Sequence, residues 1–133
     1  MLLEKLKRAR RVYLIGNGGS YANAAHIAND LLSCGIKAHT LDAAILTAWA
    51  NDIGYESIFA TWLETVGEKG DLLIALSGSG TSPNILKALD AARAIGMDFH
   101  LVTDYLRTRD MQQSEEDQLV IGHNLMRALR DRR

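Results

Sequence analysis

The sequence predicts an α/β domain built on a parallel sheet, and three observations carry that expectation. Four short aliphatic runs, at residues 11–15, 36–40, 71–76 and 98–103, alternate with segments of helical character at 20–33, 42–50, 55–68, 82–95 and 113–130. Such βα alternation implies parallel strands with right-handed crossovers. The glycines punctuate these runs from outside, most of them just after a run. The first and third runs, VYLI and LLIAL, are continuously apolar, which suits strands covered by helices on both faces.

Taken in order, the first run opens directly into Gly16-Asn17-Gly18-Gly19-Ser20 and a helix. Gly35 and Gly96, each shortly before a strand, fit the left-handed residue that ends a helix. The third run opens into Ser77-Gly78-Ser79-Gly80-Thr81-Ser82 and another helix, whose Ser82-Pro83 reads as N-cap followed by N1. The only proline therefore stands where its missing N–H costs nothing. On the last helix Leu119, Ile121, Leu125, Met126 and Leu129 spread over nearly half the circumference, more than one flank of a sheet would cover, so a second copy of the chain is the expected further partner.

Length and composition set the outer bounds. The chain has 133 residues and 14.6 kDa, one domain's length, so residues 1–133 are expected to form a single unit. With 47% hydrophobic and 23% charged residues and a formal charge of −1, the composition excludes a disordered chain, a collagen and a strongly basic nucleic-acid binder. The basic stretches at 5–11 and 127–133 read as solvated helix faces. One cysteine, Cys34, cannot form an internal disulfide. The opening MLLEKLKRARR lacks the apolar centre of a secretory signal, and no apolar run approaches the roughly 20 residues that span a bilayer. The expectation is a reduced, cytoplasmic, soluble protein without membrane or nucleic-acid partners.

Function is read from the two glycine–serine loops. The first offers close backbone approach and a helix N-terminus, a geometry that suits an anion, although a tight turn without ligand reads equally well from these residues alone. It is neither a Walker loop nor a spaced dinucleotide fingerprint. The second concentrates four hydroxyls, Ser77, Ser79, Thr81 and Ser82, at one helix start, more than turn chemistry needs. With strand order 2-1-3-4, the carboxyl ends of strands one and three would flank the point where open α/β sheets bind ligands. The pairing favours a phosphorylated small molecule over a nucleotide, since no base or ribose signature accompanies it.

The stretches GNGGSYANAAHIANDL, ANDIGYESIF and EKGDLLIALSGSGTSPNILKALDAARAIGM, with QLVIGHNLMRAL in the final helix, resemble the sugar isomerase (SIS) domain, and within it the phosphoheptose isomerases. The likeness runs from about residue 12 to 104 and resumes in the last helix. It implies a flavodoxin-like three-layer sandwich, a homotetramer with sites between subunits, and conversion of sedoheptulose 7-phosphate to D-glycero-D-manno-heptose 7-phosphate through an enediol. By that resemblance Ser77, Gly78, Ser79, Thr81 and Ser82 match the phosphate loop. Asn17, Gly18, Gly19 and Ser20 match the loop lining the sugar, and Asp52 matches a sugar-contacting aspartate. Asp30 stands at the position of the glutamate general base and His123 at that of the catalytic histidine. His26 matches a metal-binding histidine, and Glu115 aligns with a glutamine that contacts substrate or metal. The implied cofactor set is His26, Asp30, Glu115 and His123 around zinc or another divalent ion.

The chain departs from the family in three places. About ten residues precede the first strand where relatives carry a longer helical segment, and residues 104–113 leave no room for a fifth strand, so a trimmed fold is expected. Aspartate at position 30 shortens the reach of the base by one methylene. An alternative function follows: a non-catalytic SIS protein that binds sugar phosphates or a partner protein, as bacterial SIS proteins associated with the replication initiator do.

Spacing adds its own argument. His26 and Asp30 are i and i+4 on one helix, while Glu115 and His123 lie two turns apart and within about 80° on another. Two helices could present two histidines and two carboxylates to one point, a set that suits a divalent ion. Read alone, His26 could be a packed histidine, Asp30 a solvent-facing charge and His123 a core histidine bonded to a carbonyl. His39 and His100 are assigned to structure, and Trp49, Trp62, Tyr55 and Phe59 to core or interface, while Tyr21 is placed near the pocket.

Overall fold

A computed structural model describes residues 2–103 and 110–130. Residues 104–109, where the sequence leaves no room for a fifth strand, lie outside the described residues. The elements run α1 (Leu2–Arg8), β1 (Val12–Gly16), α2 (Gly19–Ser33), β2 (Ala38–Thr40), α3 (Ala43–Ile53), a 3₁₀ turn (Tyr55–Ser57), α4 (Ile58–Val66), β3 (Leu72–Leu76), α5 (Pro83–Ile95), β4 (Asp98–Val102) and α6 (Met111–Arg130). The four strands are parallel in the order β2-β1-β3-β4.

Strand alternation divides the core into two layers. Tyr13 and Ile15 of β1 and Leu73 and Ala75 of β3 face Phe59, Trp62, Leu63 and the apolar side of α5. Val12, Leu14, Leu72 and Ile74 point the other way, onto Leu6 of α1, Ile27 and Leu31 of α2 and Leu129 of α6. Both central strands are buried at every residue, as their continuous apolar sequences require. The chain is thus a three-layer sandwich with helices on both faces.

Several boundaries shift for physical reasons. The segment expected as one helix at 55–68 breaks into the 3₁₀ turn and α4, which ends at Gly67 because Asp71 Oδ2 accepts the Glu68 N–H and folds a turn into β3. α3 runs past residue 50 to Ile53, where Gly54 at φ 94° stops it. Ser82 stands at the N-cap position with Pro83 after it, but its side chain makes no capping bond. Gly96 adopts the left-handed conformation and donates to Ala92 and Arg93 carbonyls, as a helix-ending glycine does.

Among the described residues β4 is an edge strand, and its outer side is blunted. The Phe99 carbonyl accepts from Lys5 Nζ at 2.7 Å, and its N–H donates to Asp98 Oδ1 at 2.9 Å, so two ladder groups that face away from β3 are occupied. Trp62 and Phe59 are core residues and Trp49 packs against them, as expected, whereas Tyr55 is exposed. His39 lies tilted against Tyr13, ring centroids 5.7 Å apart, and half-buried His100 has its pKa held down by burial and by Lys5 nearby. None of the described helices is long and apolar enough to cross a membrane.

Candidate active site

The strand order sets β1 and β3 side by side, so their loops open at one end of the sheet. Between the loops lies a cavity of about 50 Å³, whose lining includes Asn17, Ser20, Ser77, Ser79 and Ser82. It suits an anionic headgroup, being far below the volume of a complete small-molecule pocket. Larger clefts of about 300 and 510 Å³ lie elsewhere, one beside Arg8 and Lys69 and the other beside Tyr13 and Trp62.

The hydroxyl loop is pre-folded by its own serines. Ser77 Oγ accepts the Gly80 N–H at 3.1 Å, and Ser79 Oγ accepts the Thr81 N–H at 3.2 Å. A hydroxyl that accepts from the backbone keeps its hydrogen to donate elsewhere, so both serines can still donate to an anion. Asn17 is tied to the start of α5 by a reciprocal amide pair with Asn84, at 3.0 and 2.8 Å, and Tyr55 donates to Asn17 Oδ1 at 2.6 Å. Asn84 is buried, so this bond fixes the first loop against the second.

The second half of the site lies along the seam between α2 and α6, which run side by side in the same direction. The seam is small and polar: Ser114, Gln118, Gly122 and Leu129 are the buried residues of α6. The broad apolar arc read from the sequence is centred on this face, leaving Ile121 on its flank exposed and Leu119 and Met126 partly so. Gly122 permits the close approach, since a Cβ there would stand 2.5 Å from Ile27 Cγ1. Gly122→Ala is therefore expected to destabilise the fold by about 1–3 kcal/mol, the usual cost of overpacking, in urea unfolding. Because Ile27→Ala removes Cγ1, adding it to Gly122→Ala should cost less than the sum of the two single losses.

Near that close approach, three side chains converge. His26 Nε2 and His123 Nε2 are 3.1 Å apart, and Asp30 Oδ2 lies 3.4 Å from the first and 3.6 Å from the second. Asp30 is the most enclosed of the three, its side chain 14% exposed against 50% for His26 and 37% for His123. Its Oδ2 is buried without a hydrogen-bond partner. An orphaned carboxylate oxygen facing two imidazole nitrogens fits a shared proton or a bound cation. Among the described residues these three form a group able to hold a metal ion.

Of the residues expected from the sequence, His26, Asp30 and His123 meet within this one chain. The shorter aspartate still reaches both histidines. Glu115 does not join them: its carboxylate lies against Gly19 at the start of α2, and its carbonyl accepts from Asn23. Asn17, Ser20, Ser77, Gly78, Ser79 and Ser82 line the cavity. Gly19 lies beneath Glu115 and Gly18 turns the loop at φ 55°. Thr81 and Asp52 are exposed and outside that lining, Asp52 bonding to Asn51, and Tyr21 bonds to the Leu41 carbonyl. Sequence reading missed Asn84, Tyr55 as a partner of Asn17, and Gln118. A polar residue two places into a helix, or one exposed tyrosine, carries no signal. Ser114, Gln118 and Gly122 do repeat at a period of four, which marks a close helix seam.

The SIS domain family pattern matches residues 1–103. A phosphoheptose isomerase of Desulfovibrio desulfuricans is 43% identical over 100 residues, covering 69% of this chain and 48% of its own length. One from Burkholderia pseudomallei (strain 1710b) is 37% identical, covering 91% of this chain and 73% of its own. The chain spans about half the length of the first curated relatives it matches, 48% and 51%. Among solved structures, the phosphoheptose isomerase GmhA of Neisseria gonorrhoeae superimposes with a TM-score of 0.86 at 25% identity, over 98% of this chain and 81% of that one. The Vibrio vulnificus NanR protein, solved with ManNAc-6P, shares the fold with a TM-score of 0.73 at 18% identity.

Proposed function

The chain belongs to the SIS domain family, and we propose that it is a sugar-phosphate aldose–ketose isomerase of the phosphoheptose type, acting on sedoheptulose 7-phosphate. The observation that carries this reading is that α2, whose Ser20 lines the anion cavity, also brings His26 and Asp30 to His123 two to three turns further along the same helix. Relatives at about 40% identity with that name support it.

Isomerisation moves a proton between neighbouring carbons through an enediol. The Asp30 carboxylate takes the proton from the carbon beside the carbonyl and returns it to the adjacent carbon. The His123 imidazole gives a proton to the carbonyl oxygen and removes one from the neighbouring hydroxyl, so protons balance over the cycle. Ser77, Ser79 and Ser82 hold the phosphate by donated hydrogen bonds, Ser20 lines the same cavity from α2, and Asn17 orients the chain between the two ends. In a metal-bound form His26 Nε2, His123 Nε2 and Asp30 Oδ2 would hold a divalent ion such as zinc, which would supply polarisation of the carbonyl oxygen in place of the His123 proton. The buried, unpartnered Oδ2 supports that donor set. Formation of heptose 7-phosphate from sedoheptulose 7-phosphate by purified protein tests the reading, and no turnover with or without zinc contradicts it. In that case a sugar-phosphate-binding role replaces it, which the aspartate at the base position favours.

The proposed assembly is a homodimer or homotetramer. None of α3's residues is buried despite its apolar sequence, and Ile45, Ile53 and Val66 are exposed on one side of the chain and Val120 and Ile121 on α6. An apolar helix with no buried residue supports a covering partner. Light scattering at micromolar concentration should give two or four times the chain mass, and a monomer would contradict the assembly.

A further inference from the structure

Gln118 is 1% exposed in the seam between α2 and α6, and it lies between the anion cavity and the His–Asp cluster. The hydrogen bonds around it have a direction that can be deduced. Asn23 bonds to the Glu115 carbonyl at 2.8 Å, and a carbonyl can only accept, so the Asn23 atom in that position is its amide nitrogen. That nitrogen's second hydrogen goes to Gln118 at 3.0 Å, which makes the Gln118 atom there the oxygen. Gln118 therefore turns its own nitrogen to Ser20 Oγ, at 3.1 Å. Ser20 accepts this bond, and its hydroxyl hydrogen must go elsewhere. Among the described residues no protein acceptor takes it, and Ser20 lines the 50 Å³ cavity.

We propose that Gln118 is a positioning residue that sets the polarity of Ser20, so that the anion cavity receives a hydrogen-bond donor from α2 as well as from the hydroxyl loop. The chain of donation runs from a backbone carbonyl that cannot reverse, through Asn23 and Gln118, to Ser20 and then to the ligand. Its class of ligand is a phosphate or similar oxyanion, all of whose oxygens accept. The inference rests on the proposed reading of this cavity as the phosphate site, and it extends that reading to a residue that touches no ligand. It also places one polar path between the cavity and α6, the helix that carries His123.

Gln118→Glu keeps the packing, reverses the polarity toward Ser20 and adds a carboxylate; in a Ser20→Ala background only the effect of that charge remains, so the polarity effect is the difference between the two backgrounds. The glutamate is nearly isosteric and still accepts from Asn23, but toward Ser20 it presents an oxygen that takes the hydroxyl hydrogen away from the cavity. Gln118→Met removes the bond without reversing it. With inorganic phosphate as the probe in calorimetric titration at pH 8, Gln118→Glu should weaken binding at least thirty-fold and Gln118→Met about three-fold. Equal losses in the two variants, or no loss in either, would overturn the proposal. Should Gln118→Glu fail to fold, a double-mutant cycle decides. Adding Gln118→Met to Ser20→Ala should cause no further loss of phosphate affinity, whereas additive losses would show that Gln118 does not act through Ser20. Wild-type protein that binds no phosphate would remove the anion-site reading and this inference with it, while wild-type binding with indistinguishable variants would remove the inference alone.

Discussion

Asp30→Asn and His123→Ala should each lower turnover of sedoheptulose 7-phosphate by at least a hundredfold while leaving the fold intact. The two groups lie 3.6 Å apart at the same point, and removal of a positioned acid or base costs about 10²–10⁴ in rate. Neither substitution opens a core cavity, because both side chains border solvent on one side. Circular dichroism and unfolding midpoints should therefore stay near wild type. Asp30→Glu tests the departure from relatives. A glutamate carboxylate ends about 1.5 Å further along its arm, and a misplacement of that size can cost about a hundredfold. If α2 sits against substrate as in relatives, the variant should be faster than wild type. A slower Asp30→Glu enzyme would mean that this chain has re-set its site around the shorter residue.

The second large effect is expected at the hydroxyl loop. Ser77→Ala with Ser79→Ala removes two hydroxyls that accept Gly80 and Thr81 N–H groups while keeping hydrogens for a ligand. A hydrogen bond to a charged group contributes roughly 1.5–3 kcal/mol. The double variant should thus lose on the order of a hundredfold or more in sugar-phosphate affinity, with the loss in KM rather than kcat if the loop only holds the phosphate. Unchanged affinity would move the phosphate to the first glycine loop.

Much of the architecture was legible because the strands obey strong local rules. VYLI and LLIAL could only be covered on both faces, and Gly35, Gly96 and Ser82-Pro83 mark helix ends by backbone chemistry. The segment at 55–68 was less legible, since its break depends on Asp71 accepting the Glu68 N–H, a contact invisible to periodicity. In the site, i,i+4 spacing correctly put His26 and Asp30 on one face. Glu115 was misleading because angular proximity on a helix says nothing about height: it lies two turns above His123 and meets Gly19. The relation between α2 and α6 was not readable at all from hydrophobic pattern. It is set by Gly122, which lets the helices close, and by Gln118 and Asn23, which bond across the seam. A polar residue on a helix reads as solvent-facing unless its partner on another element is known.

Proton movement at carbon by Asp30 and His123 is measured most directly as solvent deuterium incorporation at C1 of sedoheptulose 7-phosphate, the carbon that becomes the aldehyde. Wild-type protein in deuterium oxide should exchange that hydrogen, Asp30→Asn should not, and added zinc should not be able to replace the missing carboxylate. Wild-type protein that exchanges nothing, with or without zinc, together with an Asp30→Glu variant that also exchanges nothing, would contradict the isomerase reading and leave a protein that binds sugar phosphates without transforming them.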